Sequence, residues 1–296
     1  FGLKITSSDF FTMTGSAAND NEIDGIMLNS ITNSILQNNQ FQNNEENGID
    51  VYTVSNLTIT DTVCSDNEEN GIYIQSSDQI SIFENTMEDN GKWENFTTIE
   101  QEFDRFKEDN AIVSISSSNV NISDNYMKNN KFASIYLYDT DANSIINNTV
   151  INTAIDNVQH LGINIVDSTN FFMDYNQIDG PAIALHVNSS ELGTINANSF
   201  IGKEDQVEKF YTDGIFIYDS TALTISKNEV KTNIIGFQAI NSDNLSIIEN
   251  YIHDNRGDGI IINNENTTNP ENLVGNVISM NILQRNRRGI DLHQAF

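Results

Sequence analysis

Apolar residues follow a fixed beat along this chain. A residue that is most often glycine opens a stretch with apolar side chains one and three places later, and such starts recur at Gly2, Gly25, Gly48 and Gly71, an interval of 23. The strings are GLKI, GIML, GIDV and GIYI, followed by starts at Ala111 (AIVS), Ser134 (SIYL), Gly162 (GINI), Ala182 (AIAL), Gly214 (GIFI), Gly236 (GFQA), Gly259 (GIII) and Gly289 (GIDL). Counted from each start, positions nine and eleven are mostly apolar, as in Leu57 and Ile59, Ile80 and Ile82, or Leu223 and Ile225, and position sixteen usually is too. Alternation of period two predicts strands, since a helix would need a period of 3.6. Each repeat therefore holds three short strands separated by turns rich in Asn, Asp and Ser. One such repeat cannot bury its own apolar face. Stacked copies can, as a continuous inner column with parallel strands about 4.8 Å apart.

One polar position keeps step with the apolar ones. Position fourteen is Asn at Asn39, Asn85, Asn125, Asn148, Asn176, Asn228 and Asn250, and at Asn198 and Asn281 once short insertions are allowed. Stacking would place these amides above one another, hydrogen-bonded from rung to rung and satisfying turn backbone that water cannot reach.

The whole pattern, from Gly2 to Leu292, resembles the right-handed parallel β-helix repeat family of the pectate-lyase-like superfamily, whose rungs read G-I-x-[ILV]-x-x-S-x-N-[LF]-x-I-x-x-N-x-[IV]. The resemblance implies an all-β fold, a single-stranded right-handed parallel β-helix of about eleven rungs forming one domain over residues 1–296. It implies little about function, because the superfamily holds polysaccharide lyases, hydrolases, epimerases, phage tailspikes, adhesins and surface proteins. Two motifs of its pectin hydrolases, G-H-G and R-I-K, do not occur here, and neither does the D-P-H-E of its mannuronan epimerases.

Composition narrows the partners. There are 42 acidic side chains against 14 basic ones, a net charge of −28, in a chain with 46 Asn and 48 Ser plus Thr. Phosphate recognition needs clustered Lys and Arg, so nucleic acid is excluded as the expected partner, and docking on an anionic membrane is disfavoured. No apolar run approaches the roughly 18 residues of a membrane span, and no basic-then-apolar leader opens the sequence, so a soluble chain without membrane insertion is expected. Cys64 stands alone and cannot form an internal disulfide. An extracellular or cell-surface location follows from the family resemblance and the polarity.

Departures from the beat fall at turns, where a solenoid tolerates them. Residues 88–110, 151–161, 201–213 and 284–288 lie ahead of a start, on one corner beside the first strand, and Glu265 to Gly275 follows a first strand. Within the first insertion, Ile99, Phe103 and Phe106 of TIEQEFDRFKED fall at helical spacing, which predicts a short amphipathic helix near 98–109 lying on the column as a cap, sealed by Trp93.

In the first strand positions one and three point inward, so two and four point outward. The outward set holds Tyr52, Tyr73, Tyr136, Tyr138, His186, Phe216, Tyr218 and His293. An aromatic stripe bordered by insertions suits a glycan, whose ring faces are apolar and whose rims need hydrogen bonds. Aromatic residues are also ordinary strand formers that pair across rungs. Position five holds Asp139, Asp167 and Asp219, which rung spacing puts roughly 4.8 and 9.6 Å apart, bracketing the carboxylate separations of glycosidases. His186, on the rung between Asp167 and Asp219, would supply a base or acid near neutral pH, with Lys203, Lys209 and Tyr211 on the neighbouring loop. Turn chemistry explains the same Asp residues equally well. A uronate-directed lyase would also need Arg or Lys beside the substrate carboxylate, and four of only five Arg (Arg256, Arg285, Arg287, Arg288) lie near the end.

Glu22, Glu45 and Glu68 repeat at 23 within NDNEID, NNEEN and DNEEN. Stacked carboxylates repel, so this row is either bridged, with Ca²⁺ as the natural ion, or a solvated edge that discourages sheet aggregation. Seven Asn-x-Ser/Thr sequons (Asn56, Asn95, Asn121, Asn147, Asn188, Asn244, Asn266) permit N-glycosylation, although this composition yields as many by chance. Arg256-Gly257-Asp258 fits the turn before Gly259. Two functions are thus expected: a structural or adhesive module contacting a polysaccharide or surface glycan, with other copies or flanking domains stacked on the solenoid ends, or a lyase, hydrolase or epimerase working around His186.

Overall fold

The computed structural model describes residues 1–92, 108–153, 161–203, 213–263 and 275–293. Its strands form three sheets of twelve, eleven and ten strands. All pairings are parallel, each strand to its counterpart on the next rung, as Asn164 to His186 and His186 to Phe216 in the first sheet. One full rung runs through Leu161–Val166, Phe172–Asp174 and Gln177–Asp179 and then climbs to Ile183–Asn188. Among the described residues there is no helix. The segment expected to be helical, 98–109, lies outside them except for its last two residues, as do Trp93, Lys209 and Tyr211.

The strands form because β-branched residues fit a pleated surface, and they stack because like stands on like. Ile72 pairs with Ile112, Ile112 with Ile135, and Ile135 with Ile163, all of them wholly buried. Corners are made by single residues in the left-handed region, among them Ser116 (φ 46°), Asp124 (φ 56°), Asn129 (φ 52°) and Asp139 (φ 54°). Short polar side chains tolerate that conformation best, which accounts for the Asn, Asp and Ser content of the turns.

Position fourteen is the expected ladder. Asn148 donates its backbone N–H to Asn176 Oδ1 (3.0 Å) and its side-chain amide to the same oxygen (3.0 Å) and to the carbonyl of Ile122 (2.9 Å), and its own Oδ1 accepts from Asn125. The row runs on through Asn198, Asn228 and Asn250 to Asn281. Three further ladders escaped the sequence reading. Asn44, Asn67, Asn90 and Asn130 repeat the same contacts after the third strand, Asp24, Asn47, Asn70 and Asn110 do so at the next corner, and Ser168, Ser190, Ser220 and Ser242 link the first corner by hydroxyls.

Two boundaries differ from expectation. The start assigned to Ala182 falls instead on Ala184, which pairs with Gly162, because Gly180 (φ 91°) extends the turn through Pro181 and Ala182. A slip of two preserves strand parity, so His186 still faces outward, at position two rather than four. Residues 284–288 are no insertion: Gln284 pairs with His253 and Arg288 with Asp258, and the turn between them is an ordinary corner.

Candidate functional site

The outward face of the first sheet divides into a covered and an open part. In the covered part Val113, Ile115 and Tyr136 are buried (Tyr136 is 4% exposed) and pack with Tyr73, Tyr138 and Val166. Burial raises the phenols of Tyr136 and Tyr73, the latter to about 12 with help from Asp50. Tyr136 is therefore a packing residue, while Tyr52 is exposed (37%) and Tyr138 and Tyr218 are half-buried.

The open part begins at His186. Its Nδ1 lies 2.8 Å from Asn164 Oδ1, and its ring stacks on Phe216 with centroids 5.4 Å apart and planes 20° apart. Burial pushes the imidazole down to about 4, so it is neutral at physiological pH. With Nδ1–H donating to the Asn164 oxygen, Nε2 keeps its lone pair as an acceptor. Asn188, Tyr218, Gln238, Ile240, Ile261 and Asn263 continue the two outward columns, all half-buried. Asn164 and Gln238 were not singled out from the sequence, and Asn188 only as a sequon. The corrected register alone would have put Asn164 and Gln238 in the His186 column.

Asp139, Asp167 and Asp219 are exposed corner residues with φ 54°, 48° and 45°, and Asp139 accepts a hydrogen bond from Ser116 Oγ (2.8 Å). Asp139 and Asp167 do occupy successive rungs. The corner of the His186 rung is Ser189, three residues further on, about 10 Å by strand rise. The structure thus does not bring His186 together with these carboxylates. Another carboxylate is better shielded. Asp213 is 6% exposed, stands between Ile183 and Ile235, has no partner for Oδ1, and is raised by burial to about 7. Lys203, held below its usual range by burial, faces Asp179 across Gly180.

The remaining candidates scatter. Glu22 and Glu45 are exposed and Glu68 is paired with Lys92; among the described residues no three His, Cys, Asp or Glu side chains are grouped to hold a metal ion. Beside that row, burial and then the neighbouring acids raise Glu69 and Asp50 to about 7. His253 is engaged by Asp254 and Glu229 and stacks on Tyr251, and His293 pairs with Asp291. Of the sequons, Asn56 and Asn147 donate their amides to Asn33 and Asp124, Asn121 accepts from Ser144 and Asn188 from Ser189, Asn244 lies against Gly275, and Asn95 and Asn266 lie outside the described residues.

Three stacked parallel sheets with internal asparagine ladders coincide with a match of residues 1–103 and 147–295 to the model of the right-handed β-helix region. The chain belongs to the right-handed β-helix family. This β-helix is similar in fold to a mutant of the periplasmic alginate epimerase AlgG (TM-score 0.68, 12% identity, 99% of this chain and 77% of that one). It is also similar to PfbA, a surface protein and adhesin of Streptococcus pneumoniae (TM-score 0.58, 11% identity, 90% of this chain and 68% of that one). At such identities the likeness is one of fold. No curated protein matches the β-helix sequence.

Proposed function

We propose that this β-helix is a secreted or cell-surface module that contacts a glycan through the open part of its first sheet, in a structural or adhesive role. The observation that carries the reading is the His186–Phe216 stack, an accessible aromatic pair set among the amides of Asn188 and Gln238. Aromatic faces supply apolar contact to sugar rings, and amides reach their hydroxyls. The adhesin named above shares the architecture, which supports a surface role by analogy of fold. An enzyme is the weaker reading, because among the described residues the hydrogen-bond partner of His186 is the Asn164 amide and no carboxylate stands within reach to orient or assist it.

A glycan array and a polysaccharide-degradation screen on the purified chain test this. Binding without products is expected. Phe216→Ala should weaken it about tenfold or more, with Tm within a few degrees of the parent, since the ring lies outside the core. Release of products from any polymer would replace adhesion with catalysis. Loss of binding matched by an equal loss of Tm would make Phe216 a structural residue.

A further inference from the structure

The two outward columns of the first sheet cross eight consecutive rungs between Tyr73 and Asn263, and none of their sixteen residues is Asp, Glu, Lys or Arg. At 19% charged residues, composition alone would put about three there. Charge resumes at both ends, with Asp50 one rung before Tyr73 and Asp291 one rung after Ile261. The outward face of the third sheet differs, carrying Glu88, Lys128, Asp179, Glu229 and Lys231 in its columns. Among the described residues the two outward columns of the second sheet hold one carboxylate, Asp174, but Asp78, Asp141, Glu191 and Asp243 line the edge of that sheet, and its face is mostly Ser and Thr without a stacked aromatic pair. What sets the first sheet apart among the described residues is an uncharged run that holds a stacked pair of rings beside amides, whereas Phe83 and Phe172 of the second sheet stand rungs apart.

The absence of cations on this face selects against a polyanion. Binding a uronate or sulfate needs a cation or a fan of N–H donors to offset the desolvation of the anion. Among the described residues of the two columns in the open stretch, His186 is the one side chain able to become a cation, and it is held neutral by burial against Phe216. Beyond contact range, the field of a −28 molecule repels an anionic chain. An uncharged polymer meets neither obstacle, and the hydrogen-bonding groups present are of the kind it needs: the free imidazole acceptor of His186, the Tyr218 hydroxyl, and the amides of Asn188, Gln238 and Asn263.

We infer that the polymer taken by this face is a neutral glycan, laid along the solenoid axis across the strands from His186 to Asn263, a path of about 14 Å at rung spacing. This rests on the reading of the face as glycan-contacting and adds the chemical class of the ligand. Affinity electrophoresis of the whole chain through gels containing neutral polymers (a glucan, a mannan, a galactan) or anionic ones (polygalacturonate, alginate), at low and high NaCl, tests it. Retardation by at least one neutral polymer, unchanged by salt and lost about tenfold in Phe216→Ala, is the expected result. Gln238→Lys should then add retardation by the anionic gels that salt abolishes. Retardation of the parent by anionic gels alone, weakening with salt, would overturn the neutral ligand while leaving the glycan-contacting role intact. No retardation in any gel would sink both.

Discussion

Residues 1–91 and residues 161–263 are turns of one solenoid built on the same asparagine ladders, yet they treat charge in opposite ways. The first stretch repeats at 23 without insertion and carries fifteen carboxylates against one lysine, half of the net charge of −28 in under a third of the length. Some of them sit where ionisation is unfavourable: burial, then Asp24 and Glu46, raises Asp50, and burial, then Glu108 and Glu46, raises Glu69. The second stretch has rungs of unequal length and keeps its first-sheet face free of formal charge. The contrast teaches that the ladder, which satisfies buried backbone identically in both, leaves the outward positions free to differ. Regularity is spent on an acidic edge at one end, and irregularity frames a neutral face at the other.

The largest effect should come from what the two stretches share. Asn67→Leu and Asn228→Leu each orphan the buried N–H groups that point at the lost oxygen, from Asn44 and from Asn198. Each should cost about 3 kcal/mol, a fall in Tm of the order of 10 °C. Thermal melting of both variants checks this; a large loss in only one would show that the two stretches do not melt as one column.

A smaller effect should separate them. Asp50 and Glu69 have folded-state pKa values raised to about 7 from ordinary ones of 3.8 and 4.5. The folded chain therefore binds protons more tightly, its advantage is complete below the unfolded values, and stability should decline as pH rises from about 4 to about 7. Asp50→Asn with Glu69→Gln should raise Tm by several degrees at pH 7.5 and change it little at pH 4. His186, lowered to about 4, acts in the opposite sense but as a single group. A melting profile of the parent that rises steadily from pH 4 to 7 would contradict the assignment.

The smallest effect concerns the exposed corner between the first and second sheets. There Asp141 accepts from Asn170 and Thr169, which hold its carboxyl below the usual range. Thr169→Val should move that carboxyl part of the way back, as followed by NMR titration, with Tm altered by no more than about a degree. A larger thermal loss would mean that corner hydroxyls brace the column as the internal amides do.

Much of this architecture was legible because side-chain parity and repeat length are written directly in the order of residues. Starts, inward positions and the position-fourteen ladder all follow from counting. The other ladders were harder, since Asn44, Asn67, Asn90 and Asn130 are interrupted by the insertion before Asn110, and an interval of 40 residues hides the rung-to-rung contact of Asn90 with Asn130. At the candidate site, counting gave the face on which His186 lies. It could not give the neighbour, because Ala182 and Ala184 both satisfy the start pattern and only hydrogen bonding across rungs chooses between them. Nor could it separate Tyr136, packed away, from Tyr52, open to solvent, as both alternate correctly in their strands.

The asparagine ladders also bear on how this molecule ages. Asn47, Asn70 and Asn90 each precede a glycine, the dipeptide in which the following amide nitrogen most readily attacks the side-chain carbonyl and deamidates it. Here the attacking nitrogens of Gly48, Gly71 and Gly91 are tied to the carbonyls of Asn70, Asn110 and Asn67, and the amides are locked into the column. Ring closure requires a rung to open first. The appearance of isoaspartate at these steps would therefore count openings of the solenoid, a slow chemical clock written into its turns.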